Sequence, residues 1–455
     1  MKADTHIHSI SAMAKAGLKL SAVCLTAITL NTSPASAQKK LLTIDEAIQL
    51  GLQNSTALKL SQAKINEAVE RYNQAKDGRL PKASAGLMFN HAEILTDEFK
   101  LPGSAEPIKL PKRADAFIGS LSIEQLIFAG NKFRYATEST SLLTQISRLG
   151  ADKQKEEIIY GIINSGYNLY KIQQSEKVIE QNIASVDKQL KQAQQFFDQG
   201  IVTKNDVLRF QLQKNNVELT RVDLVTNKKI VNYNLDILLG LPETTELEIT
   251  PFKNPGDNAP ALASFQNIAD SKRVELQQTE IQAKLADNAI KNLQADYLPT
   301  LGVGASLYYI DPSANPFPAS QQFLAPASIA ASLSWNIDKL WTNKSRLAEA
   351  KIQRDEVALS KKLAQDNIKT EVNNDYQNYQ RSLNRIKILE SSIDQAQEND
   401  RILESKYKNN IASATDRIDA ETQLYQSLIN LELAKADAGL AYYTLLKSTG
   451  ALTSK

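Results

Sequence analysis

The sequence presents the same arrangement of segments twice. Leu80-Pro81 ends a stretch of helical periodicity and precedes alternating apolar residues, and Leu298-Pro299 does the same in the second half. A turn segment near 197–208 recurs near 407–418, so equivalent positions lie about 210 to 218 residues apart. An internal repeat of this length predicts a single body built from two matching halves, each burying its apolar face against the other.

The N-terminal segment 1–37 has the composition of a cleaved signal peptide. Lys15 and Lys19 accompany an apolar run from Leu18 to Leu30, and small residues at 35–37 supply a cleavage site. Cys24 follows Val23, where a lipoprotein signal requires a small residue. We therefore expect secretion without lipidation, and no cysteine in the mature chain.

Each half predicts a helix, a hairpin, a very long helix and a further helix. The first repeat is expected at 38–245, with a hairpin at 84–128, a long helix at 131–197 and a helix at 204–239. The second repeat is expected at 246–455, with a hairpin at 301–337, a long helix at 343–407 and a helix at 414–448. The predicted fold class is therefore mainly α with β.

The two long segments show coiled-coil periodicity. In the first, the seam is expected at Ile179, Ile183, Val186, Leu190, Ala193 and Phe197. In the second, a similar series runs from Val372 to Tyr407, with polar Asp400 in one slot. At 1.5 Å per residue each helix would be about 100 Å long. Such rods must pack along neighbouring helices over their whole length.

The predicted strands are too few to close a membrane barrel within one chain. Alternation places one set of apolar residues on a single face, which would suit a wall facing lipid: Leu87, Phe89, Leu121, Ile123, Leu307 and Leu333. Membrane barrels need about eight strands or more, because open edges are not tolerated in lipid. Two hairpins per chain therefore predict several chains, and three chains would supply twelve strands. The alternative is a soluble β-sandwich cap on a coiled coil.

Aromatic residues near the strand ends fit the belts that membrane barrels place at the lipid–water interface. The candidates for this membrane interface are Phe89, Phe128, Tyr308, Tyr309, Trp335 and Trp341. In the soluble alternative the same residues would form a core.

With these features in view, the whole chain beyond the signal segment resembles the TolC family of outer-membrane efflux proteins. The resemblance is carried by the opening Leu42-Thr43-Ile44-Asp45-Glu46-Ala47-Ile48, by the Leu-Pro pairs and by the turn segments. Its most specific part runs from Tyr407 to Ala420, where an aromatic residue, a tight turn and two aspartates follow the family pattern.

The resemblance implies a homotrimer in the outer membrane of a Gram-negative bacterium. Twelve strands would form a barrel in the lipid, continuous with a helical tunnel through the periplasm. It also implies two protein partners. A periplasmic adaptor (membrane fusion) protein would dock on the helical tips, and an inner-membrane pump of the resistance–nodulation–division (RND) or ABC type would energise efflux or type I secretion.

The resemblance also assigns roles to individual residues. Asp416 and Asp419 would ring the inner mouth of the channel and set its selectivity for cations, and Tyr407 would gate it. The adaptor-docking tips would be Gly200, Ile201, Val202 and Thr203 in the first half, with Asn410, Ile411, Ala412 and Ser413 in the second.

Each of these roles has a local structural alternative. Asp416 and Asp419 lie near a helix start, where acids cap the backbone and favour the helix dipole. Small residues at the tips are also what a tight turn requires, and Tyr407 continues the coiled-coil seam. Two departures from the family pattern are Asn410, in place of a glycine, and Ala412, in place of a basic residue that Arg417 could replace.

Composition excludes several other functional classes. The net charge is +2, and no basic tail or stripe suggests nucleic acid as a partner. Beyond the signal segment, no run of 18 apolar residues is long enough for a membrane-spanning helix. His91 is the only histidine there, and no phosphate-binding loop or metal cluster is evident. We expect neither enzymatic activity nor a cofactor.

The predicted function is a passive, gated duct that exports small molecules or proteins. One alternative is the outlet of a heavy-metal efflux system, although a single methionine and a single histidine beyond the signal segment form no soft-metal relay. An alternative from another class is a secreted coiled-coil scaffold or adhesin stalk.

Overall fold

The computed structural model describes residues 39–96, 98–103, 106–109, 112–250, 260–312 and 323–452. The predicted signal segment 1–37 lies outside these residues. Within them the chain is mainly helical with a smaller share of strand, which confirms the predicted composition of the fold.

The described part of the chain forms eight helices and eight strands. In chain order they are β1 Lys39–Leu42, α1 Ile44–Asn54, α2 Thr56–Asp77, β2 Lys82–Glu93, β3 Glu98–Phe99, β4 Ile108–Lys109, β5 Arg113–Phe128, α3 Lys132–Asp198, α4 Lys204–Leu239, β6 Glu246–Ile249, α5 Leu262–Lys272, α6 Val274–Ala295, β7 Thr300–Pro312, β8 Ala327–Ser334, α7 Lys339–Lys408 and α8 Ala414–Ser448.

Four long strands form one antiparallel sheet in the order β2-β5-β7-β8. The two hairpins are joined by pairing of β5 with β7, in which Leu121 lies opposite Leu307. β2 and β8 are the edge strands, and neither has a second partner among the described strands. One row of backbone N–H and C=O groups on each edge is therefore left without a β-ladder partner.

The register gives the sheet one apolar and one small, polar face. Ala85 lies opposite Leu121, and Leu301 lies opposite Leu333, so the predicted apolar set shares one face across all four strands. The other face is rich in serine, and two hydroxyl pairs cross it at 2.8 Å, Ser84 with Ser122 and Ser306 with Ser328.

The helices form a continuous bundle below the sheet. α3 packs on α2 near the sheet and on α4 further away, while α7 packs in the same way on α6 and α8. Contact between α3 and α8 joins the two halves. α3 has 67 residues and α7 has 70, which makes each about 100 Å long. In the described part of the chain, no helix has the length and apolarity to cross a membrane.

The deepest seam of α3 differs from the sequence expectation. Ile179, Val186 and Ala193 are buried as expected, but Ile183, Leu190 and Phe197 are only partly buried or exposed. The intervening buried positions are Asn182 and Gln189, and Phe196 replaces Phe197 as the last aromatic contact. The difference arises because α3 has two partners, α4 and α8, and the stripe that faces both is wider than a two-helix seam.

A small parallel sheet of β1 and β6 lies halfway along the bundle. Two buried side-chain amides bond to the backbone of β6. The Leu247 N–H donates to the amide oxygen of Asn232 at 2.8 Å, and the amide N–H of Gln173 donates to the Leu247 carbonyl at 2.9 Å. Buried amides thus supply hydrogen bonds that a third strand would otherwise make.

Asp236 at the end of α4 is a fully buried carboxyl group beside this sheet. Its Oδ2 accepts a hydrogen bond from Asn232 at 2.8 Å, and burial raises its pKa from 3.8 to about 6. Ionisation of Asp236 therefore reduces the stability of the folded state, by an amount that grows from about pH 4 to about pH 6 and is constant above it.

We expect Asp236→Asn to stabilise the protein above about pH 6, by about 1–3 kcal/mol per chain. The gain should vanish towards pH 4, because the wild-type group is then protonated. Thermal unfolding in detergent at both pH values measures the difference. Asp223→Asn, at an exposed position of the same helix, is the control. An equal effect of Asp236→Asn at both pH values would contradict the assignment.

Candidate functional site: the helical tips

The first tip joins α3 to α4 through a tight turn. Gly200 adopts φ 76°, a left-handed conformation that favours glycine. The N–H of Gly200 donates to the Phe197 carbonyl and the N–H of Ile201 donates to the Phe196 carbonyl, both at 2.8 Å. These bonds satisfy the last carbonyls of α3. Val202 is partly buried, and Thr203 begins α4 as its N-cap.

The second tip repeats this geometry between α7 and α8. Asn410 adopts φ 59° and so occupies the left-handed position that glycine fills in the first tip. The N–H of Ile411 donates to the Lys406 carbonyl at 2.8 Å. Ala412 is partly buried, Ser413 is the N-cap of α8, and the Ile411 side chain is 75% exposed. Each tip thus presents one exposed isoleucine beside a compact turn.

Asp416 has the structural role expected of an acid near a helix start. Its Oδ2 accepts hydrogen bonds from the backbone N–H of Ser413 at 3.1 Å and from the Ser413 hydroxyl at 2.8 Å. These bonds hold the pKa of the Asp416 carboxyl below its usual value. Asp206 forms the same capping arrangement with Thr203 in the first tip.

The capping role leaves the charge of Asp416 at the surface. Asp416 and Asp419 are both exposed, three residues apart on α8, so their carboxylates lie on one side of the helix. The structure therefore brings the two predicted mouth residues together at the tip end of the bundle.

Tyr407 lies in the core of the tip rather than at its surface. Its ring centroid is 6.1 Å from that of Phe196 and 5.6 Å from that of Phe210, and Ala193 and Val207 complete the cluster. The Tyr407 hydroxyl is buried without a hydrogen-bond partner, and burial raises its pKa. Tyr407 therefore stabilises the tip through the packing of its ring and not through its hydroxyl group.

Arg417 pairs with Asp400 inside the α7–α8 interface, and only 4% of Arg417 is exposed. Asp400, the polar slot in the predicted seam of α7, is thus matched by a guanidinium from the neighbouring helix. This contact directs the Arg417 side chain towards α7, within the hairpin of α7 and α8. Along α8, Arg417 lies within one helical turn of Asp416 and Asp419.

Two hydrogen bonds that sequence reasoning missed join the first helical hairpin, formed by α3 and α4, to the second, formed by α7 and α8. Arg209 on α4 donates to the Thr415 hydroxyl at 2.8 Å, and Gln213 on α4 donates to the Thr422 hydroxyl at 3.0 Å. Residues so far apart in the chain carry no local signal of contact. Their shared feature is position, since the N-terminal ends of α4 and α8 lie side by side near the tips.

The predicted interface aromatics are all exposed and fall at two levels of the sheet. Phe128 ends β5, Trp335 directly follows β8, and Trp341 lies in the first turn of α7. Phe89 and Tyr309 lie towards the opposite end, where Phe89 contacts Phe117 at 4.9 Å between ring centroids. Tyr308 is at the same level, but it faces the serine-rich side of the sheet.

No group of three or more His, Cys, Asp or Glu side chains in the described part of the chain is arranged to hold a metal ion.

The buried Tyr407 predicts different effects for two substitutions. Tyr407→Ala should lower the free energy of unfolding by about 3–5 kcal/mol, because it empties the aromatic cluster. Tyr407→Phe should leave stability unchanged or raise it, because the buried hydroxyl makes no hydrogen bond. Thermal unfolding of the detergent-solubilised protein checks both. A marked loss of stability in the Tyr407→Phe variant would contradict the packing role.

Comparison with known proteins agrees with this architecture. The model of the family described as "Outer membrane efflux protein" matches residues 47–241 and again residues 267–451. Outer membrane efflux protein BepC of Brucella suis is 21% identical over 90% of this chain and 86% of its own length. Outer membrane protein TolC of Escherichia coli K12 is 22% identical over 90% of this chain and 82% of its own length.

Solved structures share the fold at low sequence identity. VceC, an outer membrane protein of Vibrio cholerae, superposes with a TM-score of 0.73 at 16% identity, covering 90% of this chain and 96% of its own. The CmeC outer membrane channel of Campylobacter jejuni superposes with a TM-score of 0.71 at 13% identity, covering 90% and 86%. Because the family model matches most of the chain in two successive segments, this protein belongs to the outer membrane efflux protein family, which confirms the predicted location and the predicted role in efflux.

Proposed function

We propose that three copies of this chain form one passive, gated duct. A twelve-stranded barrel would cross the outer membrane, and the helical bundles would continue it as a tunnel through the periplasm. The duct would export small molecules or proteins. An inner-membrane pump, of the RND or ABC type, would supply the energy through a periplasmic adaptor.

The observation that carries this proposal is the pair of open sheet edges. β2 and β8 lie at opposite edges of a four-stranded sheet, and neighbouring strands run antiparallel throughout. β8 of one copy can therefore pair with β2 of the next in the same antiparallel sense. Closure into a ring leaves no edge, which is the condition for stability of strands in lipid.

The helices support the same assembly. Large apolar side chains remain exposed in rows along α4 and α7, on faces turned away from the contacts within the chain. On α4 they are Leu208, Leu212, Leu219, Val222, Ile230, Tyr233 and Ile237, and on α7 they include Ile352, Leu359, Leu363, Ile388 and Ile402. Rows of this length on both outer helices suit burial against neighbouring copies.

The two faces of the sheet support a membrane wall. The apolar face would meet lipid and the serine-rich face would line the lumen. On β7, Leu301 and Tyr309 are eight residues apart, which corresponds to about 26 Å of strand. This matches an apolar band of about 25 Å, with aromatics at both borders.

The two tips would form the inner mouth and the docking surface for the adaptor. Both carry an exposed isoleucine on a turn of small residues, which leaves room for another helical hairpin to pack. Contact with the adaptor or the pump would part the hairpins and widen the mouth. Tyr407 would then gate through the packing of its ring against Phe196 and Phe210.

Asp416 and Asp419 would line this mouth. Threefold symmetry would bring six carboxylates around one axis, which creates a strong local field for cations. Their exposure and the lowered pKa of Asp416 keep this charge available at neutral pH.

Duplication of an ancestral half-length unit accounts for the repeated order of elements. Its support is the double match of the family model, with boundaries close to the proposed repeats 38–245 and 246–455.

Cross-linking tests the trimer. Asn90→Cys on β2 is combined in turn with Ser328→Cys and Ser332→Cys on β8, all on the serine-rich face, with Cys24 replaced by Ser. Because edge strands of neighbouring copies pair, at least one combination should give disulfide-linked trimers on non-reducing gels. Ser120→Cys on the central strand β5, combined with the same β8 positions, is the control. Monomers alone in every combination would refute the assembly.

Planar-bilayer recordings test the mouth. Asp419→Asn should weaken block by multivalent cations by about tenfold, since three charges worth about 1 kcal/mol or less each are lost. Asp416→Asn should act in the same direction. Asp206→Asn removes the same helix cap from the first tip and should leave block unchanged. Full block in a protein carrying Asp416→Asn and Asp419→Asn together would exclude the charge ring.

A further inference from the structure

A layer of buried polar side chains interrupts the apolar packing of α3, α7 and α8 just above the tips. We call it the buried polar layer; its members are the buried residues Asn182 and Gln189 on α3 and Arg417 and Glu421 on α8, with the partly buried Asp400 on α7. Glu421 is the most deeply buried, at 1% exposed. Nothing in the proposed duct mechanism uses this residue.

Among the described residues, the cationic side chain that acts on Glu421 is Arg417, and it is already paired. Ser185 and Gln189 face the Glu421 carboxyl from α3, Asp400 faces it from α7, and Arg417 and Tyr425 flank it on α8. The Arg417 guanidinium is hydrogen-bonded to Asp400. Ionised Glu421 would therefore add a second negative charge to a layer with one positive charge.

Hydrogen bonding compensates for this charge only in part, because Ser185 and Gln189 lie close enough to favour the ionised carboxylate. Neither carboxyl oxygen of Glu421 accepts a hydrogen bond of normal geometry, and the Oε1 atom of Gln189 has no partner either. An ionised carboxylate is a pure acceptor, whereas a protonated carboxyl can donate to a neighbouring acceptor oxygen. Burial raises the pKa of Glu421, an effect that Ser185, Arg417 and Gln189 only partly oppose.

Glu421 also lies on the surface that must separate when the hairpins part. It faces α3 of the first hairpin from α8 of the second, at the level of the bond between Gln213 and the Thr422 hydroxyl. Movement of α8 away from α3 would expose the carboxyl to water, where it would ionise near its ordinary value.

We propose that Glu421 couples opening of the mouth to proton release: the packed tip holds it protonated, and parting of α8 from α3 hydrates and ionises it. The consequence of this coupling rests on the proposed function. It is a channel that acid pH keeps closed and that higher pH helps to open.

The direction follows from proton linkage. The packed state binds the proton more tightly than the parted state, so the ratio of open to closed channels rises with pH. One proton per chain gives an increase of up to about tenfold per pH unit per chain, until the packed state itself loses the proton.

The first experiment records single channels in planar bilayers between about pH 5 and about pH 9. The proteins are wild type, Glu421→Gln and Asp394→Asn, the last an exposed carboxylate on α7 as a matched control. We expect the open fraction to rise with pH in wild type and in Asp394→Asn. Glu421→Gln should lose this rise and keep the low open fraction that wild type has at acid pH.

A second measurement does not depend on conductance. Hydrogen–deuterium exchange of the amides in 414–425 is followed on the detergent-solubilised protein at the same pH values. Taking the difference between wild type and Glu421→Gln removes the intrinsic pH dependence of exchange. We expect wild-type exchange to increase over that of the variant as pH rises.

Equal pH profiles of conducting wild-type and Glu421→Gln channels, or equal hydrogen exchange of the two proteins at every pH, would overturn the inference. Absence of conductance from wild type would count against the proposed duct, and hydrogen exchange would then decide the role of Glu421 by itself.

Discussion

Each edge of the four-stranded sheet presents a row of backbone N–H and C=O groups that pairs with no other strand in the described part of the chain. In water such groups can be solvated, but in lipid every one of them must be paired. The open edges β2 and β8 therefore constrain the whole molecule, since no other described strand pairs with them and in the proposed ring other copies would supply their partners. The proposed ring of three chains then determines what the helices do. In that ring, neighbouring copies would cover the apolar rows that α4 and α7 leave exposed within the chain.

The tips combine firm local structure with weak contacts between hairpins. Each turn is held by capping bonds within its own hairpin, as at Ser413 and Asp416. The two hairpins are joined mainly by the ring of Tyr407, by two side-chain hydrogen bonds from α4 and by the layer around Glu421. Such an arrangement lets hairpins separate as units, since the bonds that shape each tip are not the bonds between them.

Local patterns predicted much of this architecture. The capping acid Asp416, the place of Asn410 in a tight turn and the strand alternation all follow from interactions within a few residues. The site was predictable to the same extent. Asp416 and Asp419 share an exposed side of α8 because of their spacing alone. The pairs Arg209–Thr415 and Gln213–Thr422 were not predictable, because they join residues more than 200 positions apart.

By itself, then, the sequence determined the kind of each element, its approximate bounds and which residues share a face, since these depend on backbone preference and periodicity. The tertiary structure decided how those faces are used. In the α3 seam it buried Gln189 and Phe196 more deeply than the expected residues Leu190 and Phe197. It also paired Arg417 with Asp400. It also buried Glu421 against α3, and it placed β2 and β8 at the two edges of the four-stranded sheet. The physical reason is that a helix with two neighbours, or a strand at an edge, is defined by partners distant in the chain, and periodicity carries no information about which partners those are.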